Sequence, residues 1–308
     1  MKVLIATEKP FAAAAVNGIR EIVEKGGHEL VLLESYTEKQ QLLDAVAEVD
    51  AVIIRSDKVD KEVLDTGKNL KVVVRAGAGY DNVDLATATA NNVVVMNTPG
   101  QNSNAVAELV MGLLIYAQRA GFSGAAGTEL KGKKLGLHAF GHIGKLTAAM
   151  AKGFGMDVYA FSPSLARDPS LAEPFGVTAV SKPEELYDNC DVVSLHMPAN
   201  DDTRGSINYD LMSRMPEHGT IVNTARKEVM NEADLVRIME ERPKFKYATD
   251  VKADAHDEMV EKFGVRYVAS AKKCGAQTAE ANINAGLAAA SQIVAYFADG
   301  NEEFRVNK

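Results

Sequence analysis

The chain has 308 residues, of which 46% are hydrophobic and 25% charged, and its net charge is −8 at pH 7. This length is enough for two domains with separate cores, and the negative charge argues against a nucleic-acid partner. Because only Cys190 and Cys274 are present, the sequence predicts no disulfide and a reducing, cytoplasmic location. No apolar run reaches the length of a membrane span, and the first six residues have the pattern of a strand rather than of a signal peptide, so no membrane partner is expected.

Short apolar runs alternate with helical stretches in the first third of the chain, which is typical of α/β architecture. The predicted strands are residues 2–6, 30–33, 51–55, 71–75 and 93–97, and helices over 12–24 and 38–46 lie between some of them. An apolar helical stretch over 103–119 follows Pro99-Gly100, and we interpret it as the crossover into a second domain. The Gly/Ala-rich residues 120–128 are predicted to form a loop.

A second series of strands is predicted over residues 135–138, 158–161, 192–195, 220–223, 247–249 and 267–270. Six strands separated mostly by helices match a complete dinucleotide-binding domain. An alanine-rich helix over 278–298 is long enough to return the chain to the first domain. We therefore predict one domain over residues 1–99 and 283–308 and a dinucleotide-binding domain over 100–282.

The first strand of the second series is followed by a variant of the G-x-G-x-x-G phosphate-binding turn, in which Ala139 replaces the first glycine. Alanine is tolerable there if its φ is negative. The second and third glycines are kept, and a helix over 145–154 follows. This placement between a strand and a helix favours a cofactor site over an ordinary turn. The predicted contacts are Gly141, His142, Ile143 and Gly144.

The end of the next strand lacks the acidic residue that would hold the ribose hydroxyls of NAD, because Phe161-Ser162-Pro163 stands there. Ser162 can form a hydrogen bond with a ribose, but it does not repel a 2′-phosphate as a carboxylate would. These residues therefore leave the choice between NAD and NADP open.

Arg226 follows the strand over 220–223 and comes to the carboxyl edge of the predicted sheet, where ligands of parallel sheets bind. A guanidinium at this place suits the carboxylate of a substrate beside a nicotinamide ring. The sequence therefore favours a dehydrogenase for a carboxylate-bearing alcohol. Other cations at predicted loop positions would suit a small anionic metabolite, although solvated surface charge is the alternative: Arg55, Lys58, Arg75, Lys227, Lys252, Lys272 and Lys273.

Several stretches in one order resemble the D-2-hydroxyacid dehydrogenase family over about residues 50 to 285. They are Arg55-Ser56, Arg75-Ala76-Gly77-Ala78-Gly79-Tyr80-Asp81-Asn82-Val83-Asp84, Asn97-Thr98-Pro99-Gly100-Gln101-Asn102-Ser103, Ser194-Leu195-His196-Met197-Pro198, Asn223-Thr224-Ala225-Arg226, Thr249-Asp250-Val251 and Gly275-Ala276-Gln277-Thr278-Ala279-Glu280-Ala281. The R-A-G-x-G-x-D-N-x-D run resembles the phosphoglycerate dehydrogenase branch most closely. The resemblance implies a flavodoxin-like substrate domain beside a doubly wound dinucleotide-binding domain, both Rossmann-like.

The resemblance also implies roles for individual residues. Arg226 matches the catalytic arginine, and Asp250 matches an aspartate near the nicotinamide carboxamide. The substrate phosphate and carboxylate would be held by Arg55, Ser56, Arg75, Asn102 and the backbone amides of Ala76 and Gly77. The remaining expected cofactor contacts are Ala78, His196, Met197, Pro198, Thr224, Ala225, Gly275 and Ala276.

Two positions depart from the family's pattern. Lys273 stands where the family has its catalytic histidine, and Ala255 stands where it has its catalytic glutamate. A lysine can serve as general acid and base if burial and nearby cations, here Arg226 and Lys272, lower its pKa. The alternative is that Lys273 only binds phosphate while water carries the proton. Asp254 and His256 flank the glutamate position and are interpreted as loop residues.

The leading functional hypothesis is NAD-dependent oxidation of 3-phosphoglycerate to 3-phosphohydroxypyruvate for serine synthesis. A glyoxylate or hydroxypyruvate reductase that uses NADPH is a second hypothesis, and a catalytically inactive NAD(H)-binding sensor is a third. By resemblance a homodimer is expected, in which the apolar helix over 103–119 takes part. No metal site and no serine feedback through a further regulatory domain are expected.

Overall fold

The computed structural model describes residues 1–307, which form two compact units. Unit 1 consists of Met1–Asn102 and the residues from Ala276 onward, and unit 2 is Ser103–Gly275. The predicted boundaries, after residues 99 and 282, lie three and seven residues away from these (102 − 99 and 282 − 275). The second one differs more because residues 276–278 lead directly into the last helix, which Thr278 caps, and stay with it in unit 1.

The first part of unit 1 alternates strands and helices. In chain order they are β1 (Lys2–Thr7), α1 (Ala13–Lys25), β2 (Glu29–Glu34), α2 (Lys39–Val46), β3 (Ala51–Ile54), α3 (Lys61–Thr66), β4 (Val72–Arg75), α4 (Leu85–Ala90) and β5 (Val94–Asn97).

Unit 2 begins with a long helix and continues with seven strands. Its elements are α5 (Ser103–Gln118), β6 (Lys134–His138), α6 (His142–Gly153), β7 (Asp157–Phe161), α7 (Pro163–Arg167), β8 (Thr178–Ala179), α8 (Pro183–Asn189), β9 (Val192–Leu195), α9 (Tyr209–Met212), β10 (Thr220–Asn223), α10 (Glu232–Glu241), β11 (Lys246–Thr249), α11 (His256–Phe263) and β12 (Tyr267–Ala269). The chain then returns to unit 1 through α12 (Ala279–Asp299).

The sheet of unit 1 is parallel, in the order β2-β1-β3-β4-β5. This is the flavodoxin-like order that the resemblance implied, with the change of direction beside β1. Alternate residues of β1 enter two cores: Val3 and Ile5 pack with α1 and α12, whereas Leu4 and Ala6 pack with α2 and α3. Burial on both faces explains why its central strands are nearly continuous runs of valine and isoleucine.

The sheet of unit 2 has the order β12-β11-β10-β9-β6-β7-β8, again entirely parallel. It is the doubly wound arrangement with one strand more than the six predicted. The missed strand is β8, whose two residues, Thr178–Ala179, are too few to show any alternation. The order reverses between β6 and β9, and the carboxyl ends of these strands border the crevice in which such sheets bind ligands.

Helix α5 is part of the core of unit 2. Val110, Leu113, Leu114 and Ala117 pack against apolar residues of β6, β7 and α6. This burial accounts for the apolar character of the segment within one chain. The homodimer stays a prediction from resemblance, and Tyr116 is the large apolar side chain that α5 leaves exposed.

Candidate active site

The turn between β6 and α6 has the geometry of a phosphate-binding turn. A Cβ on Gly144 would lie 2.8 Å from the carbonyl oxygen of Ala139, so only glycine fits where the helix approaches the strand. A Cβ on Gly141 would meet no atom within 4 Å, and α6 begins at the next residue, His142. Because the amides of a helix N-terminus attract anions, the open space at Gly141 fits the pyrophosphate of a dinucleotide.

Ala139 has a φ of 85°, in the left-handed region that favours glycine. The condition under which alanine would be tolerated without strain, a negative φ, is therefore not met. The amide of Ala139 donates to the carbonyl oxygen of Phe161 at 2.8 Å, which fixes the backbone in this conformation. The turn keeps the strained geometry of the fingerprint although its first glycine is absent, and the strain costs on the order of 1–2 kcal/mol.

Replacement of Ala139 by glycine is expected to stabilise unit 2 by about 1 kcal/mol, because glycine adopts this φ without strain but loses more entropy on folding. Urea denaturation followed by circular dichroism measures the change. The matched control is Ala148→Gly in the buried interior of α6, which should destabilise the protein by about 1 kcal/mol or more. A loss of stability in Ala139→Gly would contradict the strain argument.

Two imidazoles lie at the carboxyl ends of the neighbouring strands β6 and β9. The Nδ1 atom of His138 is 3.1 Å from the hydroxyl of Tyr187, and burial lowers the pKa of His138 to about 4. Both ring nitrogens of His196 are inaccessible to solvent and have no hydrogen-bond partner among the described residues. Burial, together with the charge of His138, lowers the pKa of His196 to about 3. Both rings are therefore neutral at pH 7.

Unpartnered buried polar atoms cluster at this edge. Besides the nitrogens of His196, the hydroxyl of Thr224 is buried without a partner within residues 1–307. Thr224 comes directly after β10, the strand next to β9. Since buried polar atoms are rarely left unpaired, this cluster fits a ligand that brings polar groups of its own, as a dinucleotide does.

Most of the predicted cofactor residues share this carboxyl edge of one sheet. The structure places them as follows: Gly141, His142, Ile143 and Gly144 after β6, Ser162 after β7, His196, Met197 and Pro198 after β9, Thr224 and Ala225 after β10, Asp250 after β11, and Gly275 at the end of unit 2, whereas Ala78 and Ala276 belong to unit 1. Their contacts with a cofactor stay predictions.

Ser162 caps a helix. Its hydroxyl accepts a hydrogen bond from the amide of Leu165 at 3.2 Å and lies 2.8 Å from the hydroxyl of Ser164. The residue is 6% exposed. The ribose contact predicted for Ser162 would therefore have to coexist with its role as the N-cap of α7.

Asp250 holds the loop that carries Lys273. One carboxylate oxygen accepts hydrogen bonds from the hydroxyl of Ser270 at 2.6 Å and from the amide of Cys274 at 2.8 Å, and the other accepts from the amide of Gly275 at 2.8 Å. A Cβ on Gly275 would lie 3.0 Å from that second oxygen, so the glycine permits the close approach. The family resemblance implied only a cofactor contact for Asp250, and this role in shaping the loop was not predicted.

Arg226 is exposed, three residues beyond the end of β10. The buried side chain of Asn223 shapes the turn between them, since its amide donates to the carbonyl oxygen of Arg226 at 3.0 Å and its oxygen accepts from the amide of Ala225 at 3.0 Å. One guanidinium nitrogen of Arg226 donates to the carbonyl oxygen of Ala225 at 2.9 Å. Sequence reasoning missed Asn223, although a buried asparagine at a strand end is a signal for such a turn.

Lys273 is exposed in this structure. The burial that we expected to lower its pKa is therefore not found. Of the two residues that flank the vacant glutamate position, Asp254 lies in a loop as predicted and forms an ion pair with Lys227. His256 is instead the first residue of α11, so its interpretation as a loop residue is wrong, and its Nδ1 atom lies 3.0 Å from the hydroxyl of Tyr267. Neither replaces the missing glutamate of the family.

Unit 1 presents two arginines at the carboxyl ends of adjacent strands. Arg55 follows β3 and donates to the side-chain oxygen of Asn282 at 2.7 Å, and burial lowers its pKa. Arg75 ends β4, and its Nε donates to the carbonyl oxygen of Arg55 at 3.0 Å. Ser56 comes directly after Arg55, and Asn102 is the last residue of the first segment of unit 1.

The loop after Arg75 corrects one prediction. The amide of Ala76 donates to the carbonyl oxygen of Ile54 at 2.8 Å, because the parallel pairing of β3 and β4 continues for one residue, and so this amide is not available to a substrate. Gly77 has a φ of 148°, and a Cβ there would lie 1.5 Å from a guanidinium nitrogen of Arg75. Glycine is thus required for the guanidinium to lie along the loop.

Residues 1–307 contain no group of three or more His, Cys, Asp or Glu side chains that could hold a metal ion. None of the helices in the same range is long and apolar enough to cross a bilayer.

The doubly wound sheet, the glycine turn and the open anion site at α6 define an oxidoreductase of the dinucleotide-binding class. Residues 114–263 match the model of the D-isomer specific 2-hydroxyacid dehydrogenase NAD-binding domain. A hydroxypyruvate reductase of Thermotoga maritima is 33% identical over 282 residues, which are 86% of this chain and 90% of that protein.

Two further relatives are phosphoglycerate dehydrogenases. The D-3-phosphoglycerate dehydrogenase of Methanocaldococcus jannaschii is 33% identical over 83% of this chain and 51% of that protein. The chain therefore spans about half the length of this relative. The crystal structure of the NAD⁺-bound 3-phosphoglycerate dehydrogenase of Entamoeba histolytica superimposes with a TM-score of 0.86, is 46% identical and covers 100% of this chain and 99% of that one.

The chain belongs to the D-isomer specific 2-hydroxyacid dehydrogenase family. The prediction of NAD as the cofactor and of a two-domain α/β oxidoreductase is thereby confirmed.

Proposed function

We propose that the chain catalyses the NAD-dependent oxidation of 3-phosphoglycerate at C2 to 3-phosphohydroxypyruvate. The observation that carries this choice of substrate is the pair Arg55 and Arg75 on adjacent strand ends of unit 1, joined by the hydrogen bond from Nε of Arg75. A phosphate group is close to doubly charged at pH 7 and is bound most strongly by charged donors. The description of the Entamoeba relative as a 3-phosphoglycerate dehydrogenase supports the same substrate.

The residues of unit 2 would perform the chemistry. Bound NAD supplies the nicotinamide ring that accepts the hydride from C2. The planar guanidinium of Arg226 binds the substrate carboxylate in a bidentate manner and polarises the oxygen on C2. The amine of Lys273, in its neutral form, takes the proton of the C2 hydroxyl. Asp250 positions Lys273 through the amides of the two residues that follow it.

The second candidate is a hydroxypyruvate or glyoxylate reductase. The hydroxypyruvate reductase of Thermotoga maritima favours it, because this chain covers 90% of that protein. Such a substrate has one carboxylate and no phosphate, so it would offer fewer charged oxygens to Arg55 and Arg75 than a phosphorylated substrate does.

Steady-state kinetics with purified protein tests the proposal. With NAD, kcat/KM should be about 10²-fold or more higher for 3-phosphoglycerate than for glycerate, because the phosphate adds hydrogen bonds to charged donors. Equal values, together with faster reduction of glyoxylate or hydroxypyruvate, would contradict the proposal and support the reductase. Absence of turnover with every substrate and with either cofactor would leave the NAD(H)-binding sensor.

A further inference from the structure

A second group of cations lies in unit 2, at the edge of the sheet opposite to the dinucleotide turn. Lys133 comes directly before β6, and Lys246 is the first residue of β11. Both line a cavity of about 290 Å³ together with Lys244, Arg266 and His218. We refer to these five residues as the basic cavity. Strands of four to five residues separate it from the turn and from Arg226, which is roughly 13–17 Å at about 3.3 Å per residue.

The basic cavity has few negative charges to balance it. Within residues 1–307, none of the side chains of Lys133, Lys244, Lys246 and Arg266 forms an ion pair, and no carboxylate is among the lining residues. The acidic neighbour is Asp191, which lies 3.1 Å from the Nε2 atom of His218. Burial raises the pKa of Asp191, but its hydrogen bonds and the charges of His218 and Lys133 lower it by more. Four basic side chains thus line a cavity that no carboxylate lines, in a chain whose net charge is −8.

Lys246 is the best-fixed of these cations. It is half-buried, and its ammonium donates to the side-chain oxygen of Gln118 at 3.0 Å. Gln118 is 4% exposed and is itself fixed, because its amide donates to the hydroxyl of Thr220 at 2.9 Å and its oxygen accepts from the hydroxyl of Thr128 at 2.7 Å. The hydrogen-bond partner of the ammonium is therefore a neutral amide, and burial, with the charge of Lys133, lowers the pKa of Lys246. A partly desolvated ammonium without a counter-ion is unfavourable, and a bound anion would remove this cost.

The other cations present donors that are not used within the protein. One guanidinium nitrogen of Arg266 donates to backbone carbonyl oxygens, among them that of Met239 at 2.8 Å. The other nitrogens of Arg266 form no hydrogen bond within residues 1–307. Lys133 has a single distant contact, 3.4 Å to the hydroxyl of Thr128, and Lys244 forms no hydrogen bond through its ammonium in the same range. These residues come from different elements of unit 2 and all line the cavity.

We propose that the basic cavity is a binding site for a small phosphate polyanion with the size and charge of pyrophosphate. Ammonium groups from separate elements bind the many oxygens of a phosphate as point charges, whereas a single carboxylate would satisfy only one or two of them. The volume lies at the lower limit for ligand sites and admits two phosphate groups, but not a dinucleotide. The site is therefore separate from the one at which the turn after β6 would hold NAD.

Isothermal titration of the whole chain with inorganic pyrophosphate tests the proposal. The titration is done with saturating NAD, so that the dinucleotide turn is occupied, and 3-phosphoglycerate is then added in a second series to occupy the substrate phosphate site. One pyrophosphate per chain should still bind. Lys246→Gln should weaken this binding about tenfold or more, because a hydrogen bond to a charged group is lost, and Lys246→Arg should retain most of it.

The matched control is Lys182→Gln, which removes an exposed lysine of the same unit outside the basic cavity. It should leave the affinity for pyrophosphate within about twofold. Unchanged NAD affinity in all variants shows that unit 2 remains folded. A parallel titration with ADP distinguishes a free polyanion from the phosphates of a nucleotide: weaker binding of ADP supports the proposed size, and tighter binding overturns it.

Three results would overturn the site itself. If pyrophosphate no longer binds once NAD and 3-phosphoglycerate are present, it was bound at the dinucleotide turn or at the substrate phosphate site. Equal losses in Lys246→Gln and Lys182→Gln would show a diffuse charge effect. Full binding in a Lys133→Gln/Lys246→Gln double variant would place the anion elsewhere.

Discussion

Lys273→Ala is expected to lower kcat about 10²–10⁴-fold while KM for 3-phosphoglycerate changes by only a few fold. The reason is that a positioned general base acts mainly in the transition state, whereas the arginines are proposed to supply most of the ground-state binding. Lys273→Arg should be almost as inactive, because a guanidinium retains its proton throughout the working pH range. Initial rates of NADH formation between pH 6 and 10 measure both effects.

The neighbouring residue provides the control for Lys273. Lys272 is also exposed and carries the same charge, so Lys272→Ala removes a cation from the same loop without removing the proposed base. Its kcat at pH 10 should stay within a few fold of the unmodified protein, because loss of this nearby cation shifts the pH dependence of the rate but leaves the proposed base in place. A Lys273→Ala protein with normal kcat and a raised KM would instead support the alternative in which this lysine only binds phosphate. Because Asp250 holds the amides after Lys273, neither alanine substitution removes the hydrogen bonds that fix the loop.

The fold could be predicted from sequence because each strand that is buried on both faces of a parallel sheet is a short, continuous run of apolar residues. Runs such as Val72–Arg75 and Val192–Leu195 are short and apolar and lie between helices. The predicted bounds of these two strands therefore agree with the observed ones to within one residue. The turn after β6 and the position of Arg226 at a strand end followed from the same pattern, whereas Asp250 was identified through the family resemblance. The two-residue β8 carries no such pattern and was missed.

Details of the site depended on contacts between distant residues. The positive φ of Ala139 contradicts the preference of alanine and results from the hydrogen bond to Phe161 in the next strand. The amide of Ala76 donates to the carbonyl oxygen of Ile54, and the carboxylate of Asp250 accepts hydrogen bonds from the loop that carries Lys273. The basic cavity joins residues from 133 to 266 that no local motif connects. Such pairings are set by tertiary packing, which composition and spacing do not encode.

The second large effect that we expect is a loss of stability in mild acid, caused by His138 and His196. Their pKa values in the folded chain, about 4 and about 3, lie below the value near 6.5 of an unfolded histidine. Above pH 6.5 neither state binds the proton, and the full stability is present. As the pH falls from 6.5 toward 4, these two histidines become protonated in the unfolded chain but stay neutral in the folded chain, so unfolding becomes more favourable. Each imidazole that stays neutral in the folded chain then lowers the free energy of unfolding by up to about 1.4 kcal/mol per pH unit.

The measurement is the free energy of unfolding of unit 2 in urea at pH 7, 6 and 5. His196 should contribute most, because both of its ring nitrogens are buried without a hydrogen-bond partner among residues 1–307, whereas Nδ1 of His138 lies 3.1 Å from the hydroxyl of Tyr187. Carboxylates titrate in part of this range, so the informative quantity is the difference in slope between variants. His196→Gln should flatten the dependence by about one proton, and the exposed His142→Gln should leave it unchanged. Identical slopes of unfolding free energy against pH in the two variants would mean that His196 has the same pKa in the folded and unfolded chains. The description of His196 as a neutral, buried imidazole at the carboxyl end of β9 would then be wrong.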